Sequence, residues 1–579
     1  MSVPARWRDR IYESIGLKEW KYDRLDQTDN PDLSQPNPRQ DPSASSSSSS
    51  WPRNKVIKVG AAVFAVFVFL VLIFRPSPKQ ITSLIYDQEA RSAYFYLVLP
   101  AATSNTDFCK TVFSAAVLDY PTPRILNWDE TFDDAKLPHG GRDLAKVLAI
   151  HELLEELGSH TDEDLMLIAD GYDTWFQLRP SVVIDRYYAI NDRANKRIAK
   201  QLGRSKANQS IVFSAQKRCS SDNPDSVECS SIPESDLPAD IYGSNTDKDK
   251  GDGFGSNRQR YLNAGTIIGP IGELRKLFKA AVEYADDGDF KSDTDVLARL
   301  YGEQEHHRQK GRRALMRSRS LWRRWFTSDD EAELASRKDK AKDDYGIGLD
   351  YYGEISQPAE YDEGDTAWVL HNSTDKFRKL ARRSDVPIEI PSEVAHSTPP
   401  FWTPDYTGYV QAPAAYDWSQ VPLFTNLWTG VAPAAIRLSP GSDNYKAQNP
   451  LVEKTWDQAW FLPYLRSMLV AKARAPRMPH AVVRREDSGI IEEWWGPDDN
   501  RGGIRIETGD LPGDWKSWTA VCGSQDVADE VLADGHGPWA NPGWLLDHDG
   551  GRAQGQLKDW FKQWWAAQNG SAVWGEKLP

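Results

Sequence analysis

The residues best placed to do chemistry are two aspartates three positions apart, Asp170 and Asp173, in the run Asp170-Gly171-Tyr172-Asp173. They follow residues 165–169 (LMLIA), an apolar run of strand length. In an open α/β sheet ligands bind at the carboxyl ends of strands, so the pair stands where chemistry is expected. Two carboxylates there suit a hard divalent cation that shares its oxygen ligands with substrate phosphates. The same residues also make an ordinary turn after a buried strand, because Asp and Gly favour turns. A second acidic site, Ser292-Asp293-Thr294-Asp295, opens a helical pattern through Val296, Leu297, Leu300 and Tyr301. Structurally, Ser292 starts a capping box and the acids complement the helix dipole. Chemically, Asp293 or Asp295 offers a carboxylate to face an acceptor hydroxyl as general base, or to stabilise charge.

Elements that would position these groups alternate between strand and helix. Residues 93–100 (AYFYLVLP) and 211–215 (IVFSA) read as buried strands, and 261–269 (YLNAGTIIG) as a strand pair or strand-turn with Gly at the bends. Amphipathic helices are expected over 144–157 and 271–285, with Leu274, Leu277, Phe278 and Ala281 on one face. This alternation predicts an α/β sheet with helices on its faces. The charged stretch 306–344 reads as an exposed insertion or mobile loop, and 384–418 is Pro-rich and irregular. Residues 433–438 (PAAIRL) form one more expected strand. The globular domain thus spans 91–475, followed at 476–579 by a Trp- and Gly-rich extension that either wraps the domain or forms a small one of its own.

Composition narrows the class of protein. The chain has 579 residues and a formal net charge of −14, which argues against nucleic acid as a partner, since phosphate backbones are met by clustered Lys and Arg. Residues 1–55 are polar and Ser-rich and are expected to be a disordered cytoplasmic tail. Residues 56–74 are apolar apart from Lys58 and are expected to form one transmembrane helix, with 75–90 as a stem. Sequons at Asn208, Asn372 and Asn569 all follow that span, which places the bulk of the chain in a lumen as a type II protein. The shortness of the span favours the thinner membranes of the Golgi or endoplasmic reticulum. Four cysteines are too few for a disulfide scaffold. Cys219 and Cys229 are spaced to close a surface loop, whereas Cys109 and Cys522 either pair or stay as buried thiols.

In order along the chain stand a strand ending in Asp-x-Tyr-Asp, a Phe-Ser-Ala strand followed by Cys219, Tyr261-Leu-Asn-Ala-Gly265, and an acidic helix start. This order resembles the metal-dependent, nucleotide-sugar glycosyltransferases of GT-A fold. More narrowly it resembles the glycosyltransferase domain of procollagen lysyl hydroxylases and collagen galactosyltransferases, and a set of fungal type II membrane proteins built on that domain. The resemblance covers about residues 93–460. It implies a luminal enzyme that moves a hexose from a UDP-sugar to a hydroxyl of a glycan or protein acceptor. It implies that Asp170 and Asp173 hold Mn²⁺ and the UDP diphosphate, with the Tyr172 ring near the nucleotide. It further assigns Leu99–Thr103 and the Gly140-Gly141…Lys146 segment to the uridine and phosphates, Asn263 and Gly265 to the donor sugar, and Asp293 and Asp295 to catalysis. Lys146 also reads as the polar face of its own helix. The segment from Leu349-Asp350 to Ser356-Gln357 matches an element that packs under the site.

One departure is notable. The family supplies a third metal ligand, a His, from a late strand, and Arg437 stands in its place. A guanidinium cannot ligate a metal, although it can bind a diphosphate directly. Asp443 or His371 would then have to complete the shell. Arg437 also keeps open a second reading, a carbohydrate-binding or scaffold protein that retains the fold without turnover.

Overall fold

The computed structural model describes residues 91–130, 141–202, 207–248, 253–288, 290–321, 344–359, 364–401, 416–438, 456–475, 477–484, 491–498, 501–508 and 511–532. These all belong to the second of two units into which the chain divides, Ala90–Pro579. The expected tail, membrane span and stem (1–55, 56–74 and 75–90) lie outside the described residues, as do Asn569 and Asp443. Among the described residues no helix is long and apolar enough to cross a membrane.

A large mixed sheet organises the protein, and helices cover both its faces. Strand β1 (Arg91–Pro100) leads through helix α1 (Thr106–Val117) to β2 (Arg124–Leu126) on one side. The chain then returns through α2 (Gly141–Leu157) to β3 (Leu165–Ala169) on the other side of β1. Both β2 and β3 run parallel to β1. This reversal of the winding order between β1 and β3 is a topological switch point, where a crevice opens at the strand carboxyl ends. The α/β expectation therefore holds at the level of a mixed, Rossmann-like sheet.

Side-chain alternation explains the layering. On β1, Phe95, Leu97 and Leu99 face one core with α1, while Tyr96 and Val98 face another with Leu144, Val147 and Ile150 of α2. A strand buried on both faces reads as a continuous apolar run because each successive side chain points to the opposite face. β5 (Ile211–Gln216) and β6 (Tyr261–Pro270) add antiparallel pairs beyond β3, and β7 (Ile347–Asp350) closes that edge parallel to β5. α3 (Pro180–Leu202) lies on the Phe95 side, whereas α4 (Ile271–Asp287) and α5 (Asp293–Leu321) bury Leu274, Leu277, Phe278, Val296 and Leu297 in the other core.

Several expectations need correction. Residues 261–269 form one strand rather than a strand pair, but the expected irregularity at Gly265 is present. The partner of Phe213 is Ile267 and that of Ser214 is Asn263, so Ala264, Gly265 and Thr266 are extra residues on this strand opposite β5. The charged stretch from 306 is not an insertion at its start, because α5 runs through it to Leu321. Arg308 is buried there, pairing with Glu305 at 2.9 Å and Asp344 at 2.6 Å, so charges that read as solvated are matched inside the fold. Of the two alternatives for the C-terminal extension, its described part follows the first, joining the main domain instead of forming one of its own. β13 (Ile491–Trp495) pairs with the start of β1, β12 (Ala481–Arg484) pairs with β13, and β14 (Gly503–Thr508) with β15 (Leu511–Ser517) extends the sheet beyond β2.

A small sheet joins the site to the late chain. β11 (Ala435–Arg437) runs antiparallel to β4 (Thr174–Phe176) and parallel to β8 (Ser356–Pro358). Arg437 is thereby registered against Thr174, the residue after Asp173. Asp350 accepts the backbone N–H groups of Glu354 and Ile355 and so shapes the turn that delivers β8.

Candidate functional site

Asp170 follows the last residue of β3, and its backbone N–H donates to the Gly265 carbonyl of β6 at 3.0 Å. Gly171 is required by close approach, since a Cβ there would lie 2.8 Å from the Pro100 carbonyl at the end of β1. Tyr172 locks the same crossing. Its hydroxyl donates to the Thr103 carbonyl and accepts from the Thr103 N–H, both at 2.9 Å, and its ring packs on Phe108. The Tyr172 hydroxyl therefore clasps the loop after β1, within the 99–103 segment assigned to the nucleotide.

The charged side chains converge on the two aspartates. Lys146 of α2 donates to Asp170 Oδ1 at 2.6 Å, pairs with Asp293 Oδ2 at 2.7 Å, and donates to the Ala264 carbonyl at 3.2 Å. Arg437 donates from Nη2 to Asp170 Oδ2 at 2.8 Å and from Nη1 to Asn263 Oδ1 at 2.6 Å. Its Nε faces Asp173 Oδ2 at 3.4 Å, an ion-pair distance without hydrogen-bond geometry. Asn263 also accepts the Gly265 N–H at 2.9 Å and donates to Gln216 Oε1 at 2.7 Å, so it holds Arg437 from a fixed position on β6. Gly265 makes room, because a Cβ there would overlap the Arg437 guanidinium.

Burial makes this electrostatics strong. Burial alone would raise the Asp170 pKa, but Lys146 and Arg437 outweigh it and hold the carboxyl below its ordinary range. Asp173 is pushed up to about 6 by burial, with the Asp170 charge adding to the rise and Arg437 opposing it. Burial would lower the Lys146 pKa, yet Asp170 and Asp293 carry it upward, and Arg437 is likewise raised by Asp173 and Asp170. Two cations face three carboxylates, a formal charge of −1 for the cluster.

The acidic helix start divides its work. Ser292 Oγ accepts the Asp295 N–H at 3.2 Å and caps α5, while Asp293 reaches Lys146. Thr294 also touches the site, its hydroxyl 3.4 Å from the Ala264 N–H that it accepts. Among the described residues Asp295 takes no part in the ion pairs of Lys146 and Arg437. His371 lies elsewhere and completes no shell at Asp170. Its Nδ1 donates to the Ile388 carbonyl and its Nε2 meets the Thr425 hydroxyl, in a buried position against Phe377. Trp175 and Trp494 are core residues, packed on Trp456 and Tyr188.

A hard divalent cation takes about six oxygen donors at short range. Here both oxygens of Asp170 face nitrogen cations. Among the described residues no group of three or more His, Cys, Asp and Glu is set to hold a metal. The donors as arranged do not fit a divalent cation. No family model matches the chain, and no curated protein does.

Two further features bear on the setting. Cys219 pairs with Cys229, and Cys109 of α1 pairs with Cys522. Asn208 and Asn372 are exposed. A cavity of about 480 Å³ bordered by Ala93, Leu165 and Pro270 opens at the amino ends of β1 and β3, the opposite end of the sheet from Asp170.

Proposed function

We propose that the protein is a membrane-anchored glycosyltransferase of GT-A type that moves a hexose from a UDP-sugar to a hydroxyl of a glycan or protein acceptor. The observation that carries this reading is the convergence of Lys146, Asp170, Asp173, Asn263, Asp293 and Arg437 at the carboxyl end of β3, beside the switch point between β1 and β3. Open α/β sheets bind nucleotides at that place. The order of sequence motifs points to the same residues, independently of their spacing in three dimensions.

In the transfer, the acceptor oxygen bonds to the anomeric carbon as the bond from that carbon to the diphosphate oxygen breaks. The diphosphate leaves with the electron pair, and the acceptor proton goes to a carboxylate base. Lys146 and Arg437 bring positive charge to the place where negative charge grows on the leaving group. Arg437 carries five N–H donors, more than its partners here consume, so it can meet a phosphate oxygen without releasing Asn263. Asp293 is paired with Lys146 and so belongs to this cluster, whereas Ser292 caps the helix through the Asp295 N–H.

A second reading, a binding or scaffold protein without turnover, is favoured by one observation: the carboxylates and cations already satisfy one another. The deciding experiment incubates the full chain with a panel of UDP-sugars and acceptor glycans and follows UDP release, with calorimetry for UDP itself. Turnover lost in Asp170→Asn supports the enzyme. Binding of UDP or of a glycan without turnover supports the second reading, and no binding of any UDP species sinks the enzyme.

The two disulfides, which persist in oxidising compartments, and the exposed sequons support a luminal domain behind a helix at 56–74, in the Golgi or endoplasmic reticulum. Glycosidase treatment of protein from intact microsomes tests this. A mobility shift that Asn372→Gln reduces is expected, whereas digestion of the domain by protease added outside the microsomes refutes it.

A further inference from the structure

Arg437 stands where a cation shared by Asp170 and Asp173 would stand. Its guanidinium spans both carboxylates, at 2.8 Å from Asp170 and 3.4 Å from Asp173. The position is built into the backbone. β11 is registered on β4 directly after Asp173, and the Leu438 N–H donates to the Asp173 carbonyl at 2.8 Å. On the far side Asn263 fixes Nη1, and Gly265 leaves the slot that the guanidinium fills. Lys146 meanwhile holds the other oxygen of Asp170 and ties it to Asp293. For an ion to bridge the aspartates, Arg437 would have to leave all three partners and its slot, and a divalent charge would then sit beside a guanidinium that stays protonated.

We propose that the Asp170–Asp173 pair takes no divalent cation, and that Arg437 with Lys146 is the resident positive charge of the site. Binding of a nucleoside diphosphate there is then independent of metal. This last consequence rests on the glycosyltransferase reading, whereas the exclusion of the ion does not.

The test titrates Mn²⁺ into the detergent-solubilised full chain and follows the electron paramagnetic resonance signal of the free aquo ion. Wild type and Asp173→Asn are expected to give the same titration. Arg437→Ala, which leaves both aspartates in place, is expected to gain one bound Mn²⁺ that the further change Asp173→Asn removes. A stoichiometric Mn²⁺ on wild type that Asp173→Asn abolishes overturns the proposal, and this arm decides even if Arg437→Ala fails to fold. Calorimetry of UDP in Mn²⁺ and in EDTA adds a second readout. Affinities within about twofold are expected, and a loss of about tenfold or more in EDTA overturns metal independence. Absence of UDP binding in both conditions would count against the glycosyltransferase reading, and the Mn²⁺ titration would still decide whether the aspartates take the ion.

Discussion

Lys146 is the residue on which the site's charge balance turns. It is nearly buried and faces Asp170 and Asp293 at 2.6 and 2.7 Å. Removing one partner of a buried ion pair leaves the other charge desolvated, at a cost of about 3 kcal/mol or more. Lys146→Met is therefore expected to lower stability by about 3 kcal/mol in urea unfolding and to weaken UDP binding as well. Unchanged stability would mean that Asp170 and Asp293 find other partners. Gly265 offers a finer probe. Gly265→Ala places a methyl group on the Arg437 guanidinium. Displacing the guanidinium breaks its buried pairing with Asp170, so the expected stability loss is again about 3 kcal/mol. UDP affinity should fall by about tenfold as Nη2 is pushed off Asp170, and retained affinity would show that Arg437 does not meet the nucleotide.

At the scale of elements, the small sheet β4–β11–β8 is what turns a two-aspartate turn into a site. It sets a side chain 267 residues away against Asp170. The pair of strands β9 (Thr366–Val369) and β10 (Leu423–Asn426) has a different sensitivity, through His371 at the end of β9. Burial lowers the His371 pKa to about 4 from its ordinary 6.5, partly opposed by the Ile388 carbonyl. The unfolded chain then binds a proton that the folded chain refuses between these values. Stability linked to His371 is lost as pH falls from about 6.5 towards 4, by on the order of 3 kcal/mol in total. Urea midpoints of wild type and His371→Gln should accordingly converge towards pH 4, and parallel pH profiles would show that the imidazole titrates alike in the folded and unfolded chains.

For the whole molecule, the disulfides differ in the chain they enclose. Cys109–Cys522 joins residues 413 apart, and Cys219–Cys229 only 10 apart. In the loop-entropy account the longer closure constrains the unfolded chain more, by roughly 3 kcal/mol. Cys109→Ala/Cys522→Ala is expected to lose more stability than Cys219→Ala/Cys229→Ala by that order. Equal losses in thermal unfolding would mean that the C-terminal strands dock firmly without the crosslink.

Much of the architecture is legible in local pattern. The apolar runs of β1, β3 and β5 and the spaced leucines of α2 and α4 announce their elements because period 2 and period 3.6 are properties of single segments. Asp170, Asp173 and Asp293 are likewise legible, since each follows a strand or opens a helix, whereas Asn263 is reached only through the resemblance of Asn263-Ala264-Gly265 to a family motif. The sheet membership of β13 to β15 is not, because strands such as Ile491–Trp495 gain their meaning from partners hundreds of residues away. The continuation of α5 through charged residues is hidden for the same reason, since Arg308 is buried only because Glu305 and Asp344 meet it there. Arg437 marks the boundary most clearly. Its residue type alone determines that a permanent cation stands at that position. That this cation lies across both aspartates was decided by tertiary structure, through the register of β11 on β4 and the missing side chain at Gly265. Charge identity is carried by one residue, but ion-pair geometry needs every backbone that delivers the partners.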